Sequence, residues 1–364
     1  MTAASTAELT HKDSHPSPTA GLSENSTNTS ATTELSTQSA APAQHEDTLF
    51  HSEAWRTAVE EAFGLDIAAF SPASEAGGSA FYSLVDDIRG RRLVSTPFSD
   101  FCEPHLSTEA GWTEYTSHLR SYECPITLRP FANPIALQDD SFEHRGGLLW
   151  HGIDLTDGAS GLFDRLKSRV RTKIRRVPKQ GVTFRASSSK ADIAAMHAMH
   201  VQLRKAKYGL LAQPKRFFDV LSDNFADDMV VVFAELDGEP IAGMTFFAYN
   251  GVWYYKFSAS YPNTVRPNPA LMMHAIEIAS ERGLTEVDLG RSDADQPGLL
   301  SFKEQFDPQS RELFTLVWQP PGWTDERGAA VGSTLGELTK ILTAPEIPED
   351  AAARAGDLLY RYFT

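Results

Sequence analysis

The sequence runs to 364 residues and carries 33 Lys and Arg against 48 Asp and Glu, a net charge of -15. Such an acidic balance argues against a general nucleic-acid coat and against DNA as a partner, while the length allows two modest domains with real cores. No apolar run approaches the roughly 20 residues of a membrane span, no basic-then-apolar leader opens the chain, and Cys102 and Cys124 make neither a disulfide framework nor a metal spacing. A soluble protein of the reducing cytoplasm, without a metal site, is expected.

Residues 1–47 are rich in Ser, Thr, Ala, Pro and Gln and contain no aromatic residue, so they cannot offset the entropy of ordering and are expected to be disordered. The segment 48–158 shows a hairpin across Arg89-Gly90, a helix near Thr108 to Tyr122, and strands near Ile126 to Phe131 and Gly147 to Leu155. Leu162 to Lys179 then concentrates eight basic residues against Asp164 alone. In it Leu162, Leu166, Val170 and Ile174 recur every fourth residue, which predicts one amphipathic helix with an outward basic face. Helices follow at about Ala191 to Lys207 and Pro214 to Phe225.

From Val230 the pattern becomes a meander. Strands Val230 to Leu236, Ile241 to Ala248 and Val252 to Ala259 are joined through Asp237-Gly238 and Asn250-Gly251, both strong hairpin signals. A helix begins at Asn268, a good N-cap with Pro269 at the first helical position, repeats Leu271, Ala275, Ile278 and Met272, Ile276, Ala279 on one face, and ends near Gly283. After it come a strand Glu286 to Leu289, a short helix around Leu299 to Phe306, a strand Leu313 to Trp318 and a C-terminal amphipathic helix running to Phe363.

The strand and short helix carry the most informative residues. Asp288-Leu289-Gly290-Arg291-Ser292 is followed by Gly298-Leu299-Leu300 and then Phe302-Lys303, so two cations are aimed from one strand end and the helix after it. Order, spacing and flanking elements together resemble the signature of the FemAB-like proteins, relatives of the GNAT acyltransferases. Pro97-Phe98-Ser99-Asp100, the basic segment and the meander extend the resemblance over most of the chain.

The resemblance implies an α+β (mixed α/β) fold made of tandem GNAT-like halves. The expected organisation is a degenerate half at 48–158, a half carrying the signature at 159–322, and a helical extension at 323–364. It also implies a reaction centre around Lys303, whose ammonium would stabilise the oxyanion formed when an amine attacks an acyl carbonyl. Arg291 and Ser292 would assist at the strand end, where an arginine can grip a carboxylate or phosphate. Arg171, Arg175 and Arg176 on the basic helix are the anion-binding candidates, and Tyr255 and Asp288 complete the set of substrate-binding residues. A surface lysine, a helix-capping serine, a salt-bridged arginine, a solvated basic face and a packing tyrosine are the structural alternatives.

The acyl donor would be a co-substrate, aminoacyl-tRNA or acyl-CoA, with no tightly bound cofactor. GNAT enzymes cradle the CoA pyrophosphate on a glycine-containing loop at the start of the helix after the meander. Here that place reads Arg266-Pro267-Asn268-Pro269-Ala270-Leu271, with two prolines that lack the amide donor and no glycine, which tilts the donor toward an aminoacyl-tRNA or another activated acyl group. The expected acceptor is an amine on an anionic small-molecule or lipid-linked envelope precursor, met in the cytoplasm with peripheral contact at the inner membrane face. A noncatalytic binding module for an anionic glycan or lipid-linked precursor, and an acyl-CoA-dependent N-acetyltransferase, are the competing readings.

Overall fold

A computed structural model describes residues 47–364, so the segment expected to be disordered lies, but for its last residue, outside the described residues. In chain order the elements are α1 (Glu53–Phe63), β1 (Ala68–Phe70), β2 (Ala80–Asp87), β3 (Gly90–Val94), α2 (Glu109–Arg120), β4 (Ile126–Leu128), α3 (Pro134–Leu137), β5 (Glu143–Asp154), α4 (Gly158–Arg165), α5 (Ser168–Arg176) and β6 (Val182–Ser187). They continue as α6 (Lys190–Leu203), α7 (Lys215–Phe225), β7 (Met229–Leu236), β8 (Glu239–Tyr249), β9 (Val252–Ser260), α8 (Asn268–Glu281), β10 (Glu286–Asp293), α9 (Pro297–Lys303), β11 (Gln309–Trp318), α10 (Glu326–Leu342) and α11 (Glu349–Leu359).

All eleven strands form one mixed sheet in the order β1-β2-β3-β4-β11-β5-β10-β9-β8-β7-β6. The same connectivity occurs twice in it. A hairpin β2–β3 leads through α2 to β4, parallel to β3, and a hairpin β8–β9 leads through α8 to β10, parallel to β9. At the centre β5 pairs with β10 and β11 pairs with β4, so strands from the two repeats interlock.

The meander forms for local reasons. Asp237-Gly238 and Asn250-Gly251 adopt positive φ at both turn positions, 54° and 84°, then 46° and 78°, the condition of the tight turn whose twist matches paired strands. β7 is buried from Met229 through Ala234, as its unbroken apolar run predicts for a strand covered on both faces. One face of this half carries α1, α6 and α7, with Trp55, Phe217, Phe218, Phe247 and Tyr254 in its core. The other carries α4, α5 and α8 over Val230, Val232, Phe246, Trp253 and Leu289.

Three sequence expectations are refined. The basic helix is two helices, because the chain turns extended at Leu166 and Lys167, with ψ of 144° and 138°. The apolar stripe survives the break, and Arg171 Nη1 donates to Asp164 O at 2.8 Å, partnering a carbonyl that the end of α4 leaves open. The N-cap of α8 is Pro267 rather than Asn268, following a left-handed Arg266 at φ 56°. The strand expected to stop at Leu289 runs on to Asp293 through a bulge, and that irregularity builds the site.

Candidate active site

β9 and β10 pair over only three registers, Glu286 with Val252, Val287 with Trp253 and Asp288 with Tyr254, and then separate. Beyond that point β10 changes register against β5, since Asp288 lies opposite Gly152 but Arg291 lies opposite Trp150. One extra residue is thereby inserted, and it is accommodated by Gly290 at φ 70°, the left-handed conformation that glycine adopts freely. Gly290 N donates to Asp288 Oδ1 at 2.5 Å and closes the bulge. A Cβ at Gly290 would stand 2.9 Å from Asp100 Oδ2, so the close approach of that carboxylate also requires glycine.

The bulge resets the alternation of side chains. Strict alternation would send Arg291 to the face opposite Asp288. With the insertion, Leu289 packs in the α8 layer while Arg291 reaches a cavity walled by Trp55 and Phe217 on the α1–α7 side. Ser292 follows on the opposite side of the strand, buried, with no hydrogen-bond partner for its hydroxyl among the described residues.

Lys303 ends α9. Its neighbours Phe302 and Phe306 meet edge to face, centroids 5.6 Å apart, and pack into the α8 layer, which fixes the short helix against the sheet. The lysine is no surface residue: it is 1% exposed. Its Nζ donates to Gly290 O at 2.8 Å and Arg291 O at 3.0 Å. An ammonium has three donors, and the third has no partner among the described residues. Burial lowers its pKa to about 8, against the pull of Asp100 and Asp288 in the other direction.

A cavity of about 280 Å³ adjoins the bulge, lined by Asp100, Arg129, Lys256 and Arg291 together with aromatic residues including Tyr360. Lys256 Nζ bonds Asp100 Oδ2 at 2.8 Å and stands over the rings of Phe50 and Trp55 at 4.6 and 5.5 Å, where a cation is attracted to the ring faces. Burial would raise the Asp100 carboxyl, but Lys256 and Arg291 outweigh it and hold the group below the usual carboxylate range. Burial and the nearby Arg291 lower Arg129 to about 10. Among the described residues neither Arg129 nor Arg291 forms an ion pair.

The structure therefore gathers Lys303, Arg291 and Asp288 around the bulge, with Arg291 alone of the three in the cavity wall. It does not bring the others there. Tyr255 packs with the α8 layer, centroid 5.4 Å from Phe246, its hydroxyl pushed up to about 12 by burial and bonded to Ser258. Arg171, Arg175 and Arg176 lie on α5, over the same layer, with Arg175 above the Phe163 ring at 5.0 Å. From the same helix Lys173 donates to Gln305, in the turn that follows Lys303, at 3.3 Å. Asp100, Arg129 and Lys256 went unselected. Alternation along β9 places Lys256 on the face opposite Tyr255, and Asp100 closes the Pro97-Phe98-Ser99-Asp100 motif, whereas Arg129 carries no signal beyond following a short strand.

A second cavity, about 560 Å³, opens at the start of α8 and includes Lys207, Tyr261, Arg266, Pro267 and Pro269 in its wall. It does not fit a backbone cradle for pyrophosphate. Pro267 and Pro269 have no amide hydrogen, and the amides of Ala270 and Leu271 already bond Pro267 O at 3.0 and 2.9 Å.

Residues 164–303 match the family model of the acetyltransferase (GNAT) domain, from α4 to Lys303 itself. No curated protein matches the chain in sequence. Among solved structures, FemX superposes with a TM-score of 0.59 at 15% identity, over 73% of this chain and 92% of that one. L-PGS from Bacillus licheniformis gives 0.52 at 14% identity over 80% and 97%. The C-terminal domain of a protein assigned as lysylphosphatidylglycerol synthetase from Agrobacterium fabrum gives 0.53 at 15% identity over 80% and 95%. At these identities the likeness is one of fold. Residues 164–303 thus match a GNAT-type acetyltransferase domain, set in a mixed α/β fold similar to that of FemX and of L-PGS.

Proposed function

We propose that the protein forms an amide by transferring an acyl or aminoacyl group to an amine of a cell-envelope precursor, peptidoglycan or an exported polysaccharide. The carrying observation is Lys303. A buried ammonium with one donor left over, fixed on the two carbonyls of the bulge where β9 and β10 separate, suits an oxyanion that forms there. As the amine attacks, a C–N bond forms, the acyl carbonyl oxygen takes up negative charge, and the bond to the donor breaks. The amine proton leaves with the departing oxygen or sulfur.

Aminoacyl-tRNA is the preferred donor class. The prolines at the start of α8 leave no amide cradle for the pyrophosphate of acyl-CoA, the co-substrate of GNAT domains, whereas the exposed basic side chains of α5 offer a surface for a polyanion. Two structures of similar fold bear names of lysylphosphatidylglycerol synthesis, which supports an envelope acceptor. Among the described residues no helix is long and apolar enough to cross a membrane, and we place the reaction in the cytoplasm, at the inner membrane face.

A second reading has its own support. Lys303 does not line the cavity that holds Arg291, and a noncatalytic module that binds an anionic glycan or lipid-linked precursor needs no lysine there. Incubating the protein with charged tRNAs and with acyl-CoAs beside envelope precursors, and reading product masses, decides among these. Products from charged tRNA are expected. Products from acyl-CoA alone would overturn the donor assignment, and none at all would favour the binding module.

A further inference from the structure

The Lys256–Asp100 pair satisfies one cation and the only Asp or Glu side chain that the described residues place in the wall of the 280 Å³ cavity. That leaves Arg129 and Arg291, two half-buried guanidiniums with no ion pair among the described residues. Exposed arginines without partners are ordinary. Two of them turned into one cavity are not, because each guanidinium gives up water there and repels the other. The bulge at Gly290 exists in the same place and is what turns Arg291 to this side. A cavity of this size is at the small end for ligand sites, enough for one end of a substrate.

We propose that Arg129 and Arg291 bind an oxyanion group of the acceptor, a carboxylate or a phosphate, and that the cavity holds the anionic end of an acceptor carrying both an amine and that anion. The assignment rests on the reading above that this site serves an amine acceptor. The planar fork of arginine matches either oxyanion with two parallel hydrogen bonds. Asp100, already paired, remains beside the site to disfavour a second carboxylate or phosphate, so a single anionic group is accommodated.

The test uses the purified full chain and four probes followed by ligand-observed NMR: L-lysine, cadaverine, O-phosphoethanolamine and ethanolamine. Each anion-bearing probe is thereby compared with its anion-free counterpart. The expected result is that L-lysine or O-phosphoethanolamine binds about tenfold or more tightly than its counterpart, less so as salt is raised. Whichever of the two shows the preference identifies carboxylate or phosphate. Arg129→Gln and Arg291→Gln should each remove it, and Arg129→Lys, which keeps charge but not the fork, should retain part of it, with melting temperatures confirming that all three variants fold. No preference for either anion-bearing probe, or a preference that survives both glutamine variants, overturns the proposal. Mass-detected transfer separates the two ideas. Transfer that persists in both glutamine variants leaves the acyltransferase reading standing without this site, whereas arginine-dependent binding without any transfer leaves the site standing without that reading.

Discussion

Lys303 Nζ lies 2.8 Å from the carbonyl oxygen of Gly290, the residue whose left-handed conformation makes the bulge in β10. The contact spans thirteen residues of sequence and joins a helix end to a strand irregularity. One lysine thus clamps the backbone that aims Arg291.

The first consequence is mechanistic. Lys303→Met keeps a side chain of similar length and removes the charge, so transfer should fall about a hundredfold, the scale of losing one oxyanion donor. Two carbonyls lose a partner, at a cost of about 1–3 kcal/mol each when buried, while the penalty of burying an ammonium disappears. These oppose, and calorimetry should show a folded variant that still binds acceptor. Turnover at the wild-type rate would end the oxyanion role.

Acidity provides an independent readout of the same residue. With its pKa lowered by burial to about 8, Lys303 loses its charge as pH rises through that value, and transfer should decline on that limb. The stability effect has the opposite sense. Below pH 8 both folded and unfolded states hold the proton, whereas between about 8 and the ordinary lysine value of about 10.5 the unfolded state holds more, so the contribution of Lys303 to stability grows as pH rises across that interval. A pH series on wild type and Lys303→Met checks both, since the variant should lack the activity limb and the stability gain.

Gly290→Ala should be costly for two separate reasons. Its φ of 70° is strained for any residue with a Cβ, and that atom would meet Asp100 Oδ2 at 2.9 Å. A loss of about 1–3 kcal/mol is expected, measurable in denaturant, together with lost transfer as the Asp100–Lys256 pair shifts. Unchanged stability would mean that the bulge relaxes and that its geometry is not demanded by Gly290.

How much of this was legible depends on the range of the cause. The meander was, because Asp237-Gly238 and Asn250-Gly251 dictate their own turns, and so was the apolar stripe of Leu162, Leu166, Val170 and Ile174, although not the break at Leu166 and Lys167 that the rest of the fold imposes. Alternation in the sequence sets Tyr255 and Lys256 on opposite faces of their strand but carries no sign of which face holds the cavity, and Lys256 is the one that lines it. Arg129 follows a three-residue strand with no local pattern, and it meets Arg291 only because β5 and β11 bring the two repeats together in one sheet. The burial of Lys303 is likewise tertiary, set by Phe306 against the α8 layer.

Arg175→Ala combined with Arg176→Ala separates the basic helix from the cavity. Both side chains are exposed on α5, and Arg175 stands over the Phe163 ring at 5.0 Å, a contact of about 0.5–1 kcal/mol at exposed sites. Folding should therefore persist. If α5 receives a phosphate-bearing substrate, the double variant should raise its apparent Kd by an amount that shrinks with added salt, because exposed charges are screened within about 10 Å at 0.1 M, and kcat should hold since no α5 side chain lines the cavity beside Arg291. Arg129→Gln should do the reverse in part, keeping the response of tRNA binding to salt and losing the acceptor. A double variant that binds charged tRNA as wild type does would remove α5 from the substrate path and leave the cavity beside the bulge as the sole anion site.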